Sequence, residues 1–128
     1  MLDPLEEAVA KMTTAVEHEL VVRDFIDNLN THDVLELEPF LSTHVVYQPS
    51  TCSLVRGRGE VLRLCEAIID NFEIFRIEPI HVATCGDRVL VEQALLLGFP
   101  GQPIRELMSF ASFEVHDCQI TVWRQLHG

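Results

Sequence analysis

Lysine is almost missing from this chain of 128 residues: Lys11 stands alone against eight arginines. A lone lysine near the amino terminus gives no basis for Schiff-base chemistry. Positive charge is scarce altogether, since nine basic against twenty acidic residues leave a formal net charge of −11. Nucleic-acid affinity comes largely from neutralising phosphates with Lys and Arg, so no nucleic-acid partner is expected. Long hydrophobic runs are lacking too. The longest, Ala94 to Leu97, falls far short of the roughly 18 residues that a membrane span needs, and no membrane role is expected. The opening residues Met1-Leu2-Asp3-Pro4-Leu5-Glu6-Glu7 are acidic and lack the charged-then-apolar order of a secretory leader. Cys52, Cys65, Cys85 and Cys118 form no C-x-x-C pair and fit no zinc module, so four reduced thiols in a cytoplasmic protein are expected. No H-x-H or H-E-x-x-H pattern occurs, and neither a metal nor a cofactor is expected.

What is present is apolar residue, 48% of the chain, enough for one folded domain over residues 1–128. Residues 3–30 are expected to be helical. Asp3 can cap the helix, Pro4 suits its first position, and Glu6 and Glu7 favour the positive end of its dipole. Leu20, Val21, Phe25, Ile26 and Leu29 form its apolar face, Thr13-Thr14 marks a break, and about residues 1–17 make an amino-terminal helical extension. Asp33 can cap a short second helix through Leu41. A strand over Val45–Tyr47 is expected to stop at Pro49, with a loop over residues 50–56. Val61, Leu64, Cys65, Ile68, Ile69 and Phe72 have helical spacing. The period then changes to two, giving strands at about 74–84, 88–97, 104–115 and 119–126. Helices early and strands late argue an α+β fold, with helices packed on one face of a curved, mainly antiparallel sheet. Such a cone has an apolar mouth, where small-molecule sites tend to occur.

This order and several local strings resemble the NTF2-like superfamily, and within it the limonene-1,2-epoxide hydrolase-like (SnoaL-like) family. The strings are Val21 to Leu29, Tyr47-Gln48, Gly57-Arg58, His81, Glu92 and the closing Gln119-Ile120-Thr121-Val122-Trp123-Arg124, across roughly residues 19–126. The resemblance implies an NTF2-like cone and one-step attack of water on an epoxide. One aspartate would serve as base, another as acid, an arginine would lie between them, and a Tyr and an Asn would hold the water. Two carboxylates with separated pKa values can divide such work. Carried onto this chain, the family's Glu-Arg-x-Asp falls on Glu92-Gln93-Ala94-Leu95. Its Trp-Arg-Asp falls on Trp123-Arg124-Gln125, and its Tyr-x-Asn on Tyr47-Gln48-Pro49. Only the tyrosine remains, so family-type hydrolysis is not expected. Glu92 tests the register, because a slip of one residue would turn it inward.

Alternation puts Val91, Gln93, Leu95 and Leu97 on one face of their strand, and Thr121, Trp123 and Gln125 on one face of theirs. The resemblance places Leu107, Ser109 and Ala111 inward. The expected pocket is therefore Tyr47, Gln93, Leu95, Leu97, Leu107, Ser109, Trp123 and Gln125. It suits a small apolar molecule carrying one or two oxygens, and Tyr47 is the best candidate for a catalytic role. Two other readings stay open. The glutamines and the tyrosine can satisfy one another in a closed core, leaving an interaction module without a ligand. Alternatively the chain is an isomerase, cyclase or epoxide hydrolase that pairs Tyr47 with an acid or base still to be identified. The resemblance also implies a homodimer through sheet faces, a role that Met108 and Phe110 fit. His81 is expected to be structural, and His18 to lie on a helix surface. Glu92, Glu106 and Glu114 are expected to point outward, one of them paired with Arg124.

Overall fold

The computed structural model describes residues 1–127; Gly128, the end of the expected domain, lies outside them. Helix α1 runs Pro4–Asn30, and its first turn is held as the sequence implies: the Asp3 carboxylate accepts from the Glu6 N–H at 2.8 Å. The expected break at Thr13-Thr14 does not occur. Both hydroxyls donate back to carbonyls one turn earlier, Thr13 to Val9 and Thr14 to Ala10, so they compete with nothing outside the helix. The buried stripe is His18, Val22, Phe25, Ile26 and Leu29. This corrects the expected face, since Leu20 is exposed and the helical period brings His18 inward instead. The His18 Nδ1 is buried without a hydrogen-bond partner among the described residues.

A 3-10 helix, Val34–Phe40, follows, capped by Asp33, whose side chain accepts from the Leu35 N–H. Strand β1 spans Leu41–Ser50, longer than expected and with Pro49 inside it. The proline is tolerated because its pairing with the edge strand β2, Ser53–Arg56, is irregular between Tyr47 and Ser50. Strand β2 occupies the expected loop. Gly57, at φ +92°, turns the chain into helix α2, Arg58–Asn71. Strands β3 (Ile74–Cys85), β4 (Arg88–Gly98), β5 (Arg105–His116) and β6 (Gln119–His127) complete the chain.

The sheet order is β2-β1-β6-β5-β4-β3. Four consecutive strands form a meander, and β1 closes on β6 in parallel, the one parallel pair among the described residues. The result is three helices on a curved, unclosed six-stranded sheet, an NTF2-like α+β fold. One apolar cluster joins α1 (Phe25, Ile26), α2 (Val61, Cys65) and the inner sheet face (Val91, Phe113). Phe25 sits at its centre, edge-on to Phe113 and Trp123 with ring centroids 6.1 and 5.2 Å away. This packing fixes which strand residues face the helices, and hence what lines the space left between them.

Candidate functional site

Register decides the chemistry of that space. Gln93 faces inward, 1% exposed, opposite Ser109, while Glu92 faces out opposite Phe110. The Glu92 carboxylate meets His81 Nδ1 at 2.9 Å on the outer face. The slip that would bring a carboxylate inward is absent. Glu106 and Glu114 also lie on the outer face. The expected pairing of Arg124 with a glutamate is not found. Its neighbour on β1 is Gln48, whose Oε1 accepts from Arg124 Nε at 3.2 Å, while Glu114 is opposite Arg88 and pairs with it at 2.9 Å.

Strand β1 and strand β6 run side by side with Tyr47 opposite Trp123. Their rings stack, with centroids 4.0 Å apart and planes 25° apart. Two residues further along β6, on the same face, Gln125 Oε1 accepts a hydrogen bond from the Tyr47 hydroxyl at 3.1 Å. Beside this pair a cavity of about 320 Å³ opens between the sheet and α2. Tyr47, Leu95, Leu97, Leu107, Trp123 and Gln125 are among its walls. Gln93 and Ser109 are not. They sit behind it, the Gln93 amide donating to Ser109 Oγ at 3.3 Å and Ser109 donating to the Leu126 carbonyl at 3.2 Å. The two glutamines therefore do not pair with each other. Gln93 Oε1 and Trp123 Nε1 remain buried without partners among the described residues.

The rest of the wall comes from the helices and β3: Leu29, Cys65, Ile68, Ile69, Phe72 and Phe75. The sequence showed Leu29 on a helix face and Cys65, Ile68, Ile69 and Phe72 at helical spacing, and did not single out Phe75. The helical spacing of Cys65, Ile68, Ile69 and Phe72 carried the signal, because the α2 face that packs on a strongly curved sheet also roofs what the curve leaves empty. Ile68, Phe72, Leu97 and Leu107 are only half-buried and mark the mouth.

Among the described residues, no Asp, Glu, Lys, Arg or His lines the cavity. Two of the described wall residues, Tyr47 and Cys65, can ionise in principle, and burial holds both neutral. Desolvation, with Cys65 close by, raises the Tyr47 phenol well above its ordinary value. Desolvation pushes the Cys65 thiol up to about 12. Efficient proton transfer needs a group that titrates near the working pH, and neither does. Gln125, with its oxygen engaged by Tyr47, has amide N–H donors left to offer. Nor do the described residues gather three His, Cys, Asp or Glu side chains in a metal-binding group.

A model of the SnoaL-like domain matches residues 22–123, from the core stripe of α1 to the tryptophan stacked on Tyr47. The chain belongs to the SnoaL-like family. No curated protein matches its sequence. Solved SnoaL-like and NTF2-like structures share its fold. An LEH-like epoxide hydrolase of M. tuberculosis is 24% identical with a TM-score of 0.80, covering 89% of this chain and 84% of its own. SalBIII, an epoxide hydrolase/cyclase-like enzyme of pyran ring formation in salinomycin, is 17% identical with a TM-score of 0.77, covering 87% and 90%. A ketosteroid isomerase-like fold from Catenulispora acidiphila, in complex with trimethylamine, is 13% identical with a TM-score of 0.76, covering 83% of each chain.

A second concavity, a groove of about 540 Å³, lies across the outer sheet face, with His81, Glu92, Phe110, Arg124 and Leu126 along it. It is a trough over the sheet rather than an enclosed space. Its charged groups already pair with protein neighbours, so the inner cavity is the stronger candidate for a ligand.

Proposed function

We propose that this SnoaL-like protein binds a small apolar molecule through one oxygen that accepts a hydrogen bond, and that it does not open epoxides as the hydrolases it resembles do. The carrying observation is an apolar cavity with no charged residue among its described walls, whose polar side is the Tyr47–Gln125 pair. About 320 Å³ lies at the small end of the range for ligand pockets, and suits a compact ring. The Tyr47–Gln125 bond engages the amide oxygen and leaves the amide nitrogen's donors, which favours a ketone, ether, epoxide or lactone oxygen over an alcohol's proton.

The same reading makes the protein a homodimer through the outer sheet face, where Met108 and Phe110 are 58% and 47% exposed beside Leu90 and Leu126. It places the protein in the cytoplasm, in keeping with four free cysteines. No described helix is long and apolar enough to cross a membrane. The formal charge of −11 speaks against a nucleic-acid partner.

Thermal unfolding with a matched panel tests the ligand. A cyclic ketone or lactone is expected to raise Tm through selective binding to the native state, more than the alcohol or hydrocarbon of the same shape. Gln125→Leu is expected to weaken ketone binding about tenfold, the value of one net hydrogen bond, and to leave hydrocarbon binding unchanged. A panel that shifts nothing would count against an open ligand site.

A further inference from the structure

The first half of α1 stands clear of the body. Residues 1–14 are all exposed, and the buried stripe begins only at His18. Yet this segment is not polar all round. Leu5, Val9, Met12 and Val16 follow at steps of four, three and four and are 73%, 54%, 68% and 59% exposed. The alternation of three and four is the spacing with which one helix seats on another, and Ala8 and Ala15 flank it with small side chains. Val9, Met12, Thr13 and Val16 also wall a shallow hollow on the helix surface, with Glu17 at its rim. Four residues at these positions make the hole that receives a side chain of a facing helix.

Charge narrows the occupant. A helix lying on an anionic lipid surface carries Lys and Arg on its polar side, whereas this one offers Lys11 alone among Asp3, Glu6, Glu7 and Glu17. A second copy meets the stripe with an uncharged stripe of equal length. Parallel pairing would bring the acidic first turns together. Antiparallel pairing separates them, setting Val9 opposite Met12 and Leu5 opposite Val16. We propose that the exposed stripe of the amino-terminal half of α1 pairs antiparallel with the same helix of a second copy of this chain. This contact is distinct from the outer sheet face and from the ligand cavity. It also accounts for the helix itself, since about four turns without a partner are marginal in water.

Sedimentation from micromolar to millimolar concentration tests it in a Phe110→Glu background, which removes the sheet-face contact. That chain is expected to be a dimer at high concentration. Adding Val9→Glu and Met12→Glu is expected to make it a monomer and to lower the far-ultraviolet helix signal, with the near-ultraviolet signal of Trp123 unchanged. The conservative pair Val9→Ile and Met12→Leu is expected to keep the dimer. A chain that is monomeric with the stripe intact, or whose mass is unchanged by the two glutamates, overturns the proposal. So does binding to lipid vesicles by the intact stripe without self-association.

Discussion

At the scale of the residue, the site is defined by side chains that keep their protons. Cys65 gives the clearest readout. Its thiol is held up to about 12 by burial, whereas an unfolded thiol titrates near 9.0. The folded form therefore stays protonated where the unfolded form ionises. The stability this contributes is complete below about pH 9 and is lost as the pH rises towards 12. Two measurements follow. Chemical unfolding should show stability falling across that alkaline window, and less steeply in Cys65→Ala. A thiol reagent at pH 8 should label Cys52, Cys85 and Cys118, which are exposed, and reach Cys65 only on unfolding. Rapid labelling of all four in the native protein would contradict the burial described here.

At the scale of the element, the turns store strain that the sequence shows only faintly. The β5–β6 hairpin turns on Asp117 and Cys118, both at positive φ, 51° and 60°. A tight turn of this hand favours Asn-Gly or Asp-Gly, and the left-handed region costs a side-chain-bearing residue about 1–2 kcal/mol. Cys118→Gly is expected to stabilise the fold by roughly 1 kcal/mol, part of the relief being offset by the added freedom of the unfolded chain. Thermal unfolding checks the sign, and a lower Tm would show that Cys118 makes a contact worth more than the strain. Legibility also divides at this scale. The meander of β3 to β6 was readable to within two residues, because strict alternation over long strands leaves little freedom. Asp3 and Asp33 announced their helices through capping chemistry. Strand β2 was not readable: four edge residues carry too short a pattern, and Pro49 masked the pairing beside it. The face of α1 was displaced because His18, a polar residue, continues an apolar stripe.

At the scale of the whole molecule, two apolar surfaces remain uncovered, the outer sheet face and the stripe of α1. In a chain carrying Val9→Glu and Met12→Glu, the sheet face alone should hold two copies together, and Phe110→Glu should then give a monomer by light scattering. A body that is already monomeric with Phe110 intact would remove the sheet-face contact from the account. Half of the cavity wall was legible: alternation put Leu95 and Leu97 on the inner face, the resemblance put Leu107 there, and all three line the cavity. The roof from α2 was not, because helical spacing looks the same whether a face meets side chains or an empty volume. The placement of Gln93 behind the cavity rather than in its wall depended on its bond to Ser109, which no pattern announces.

On the proposed reading, this cavity holds an oxygen-bearing ring without turning it over. The most direct measurement offers a terpene epoxide at saturating concentration to the unmodified protein and follows diol formation alongside binding. A rise in Tm is expected, with diol formed no faster than in buffer. Diol formed catalytically, and lost in Tyr47→Phe or Gln125→Leu, would contradict it.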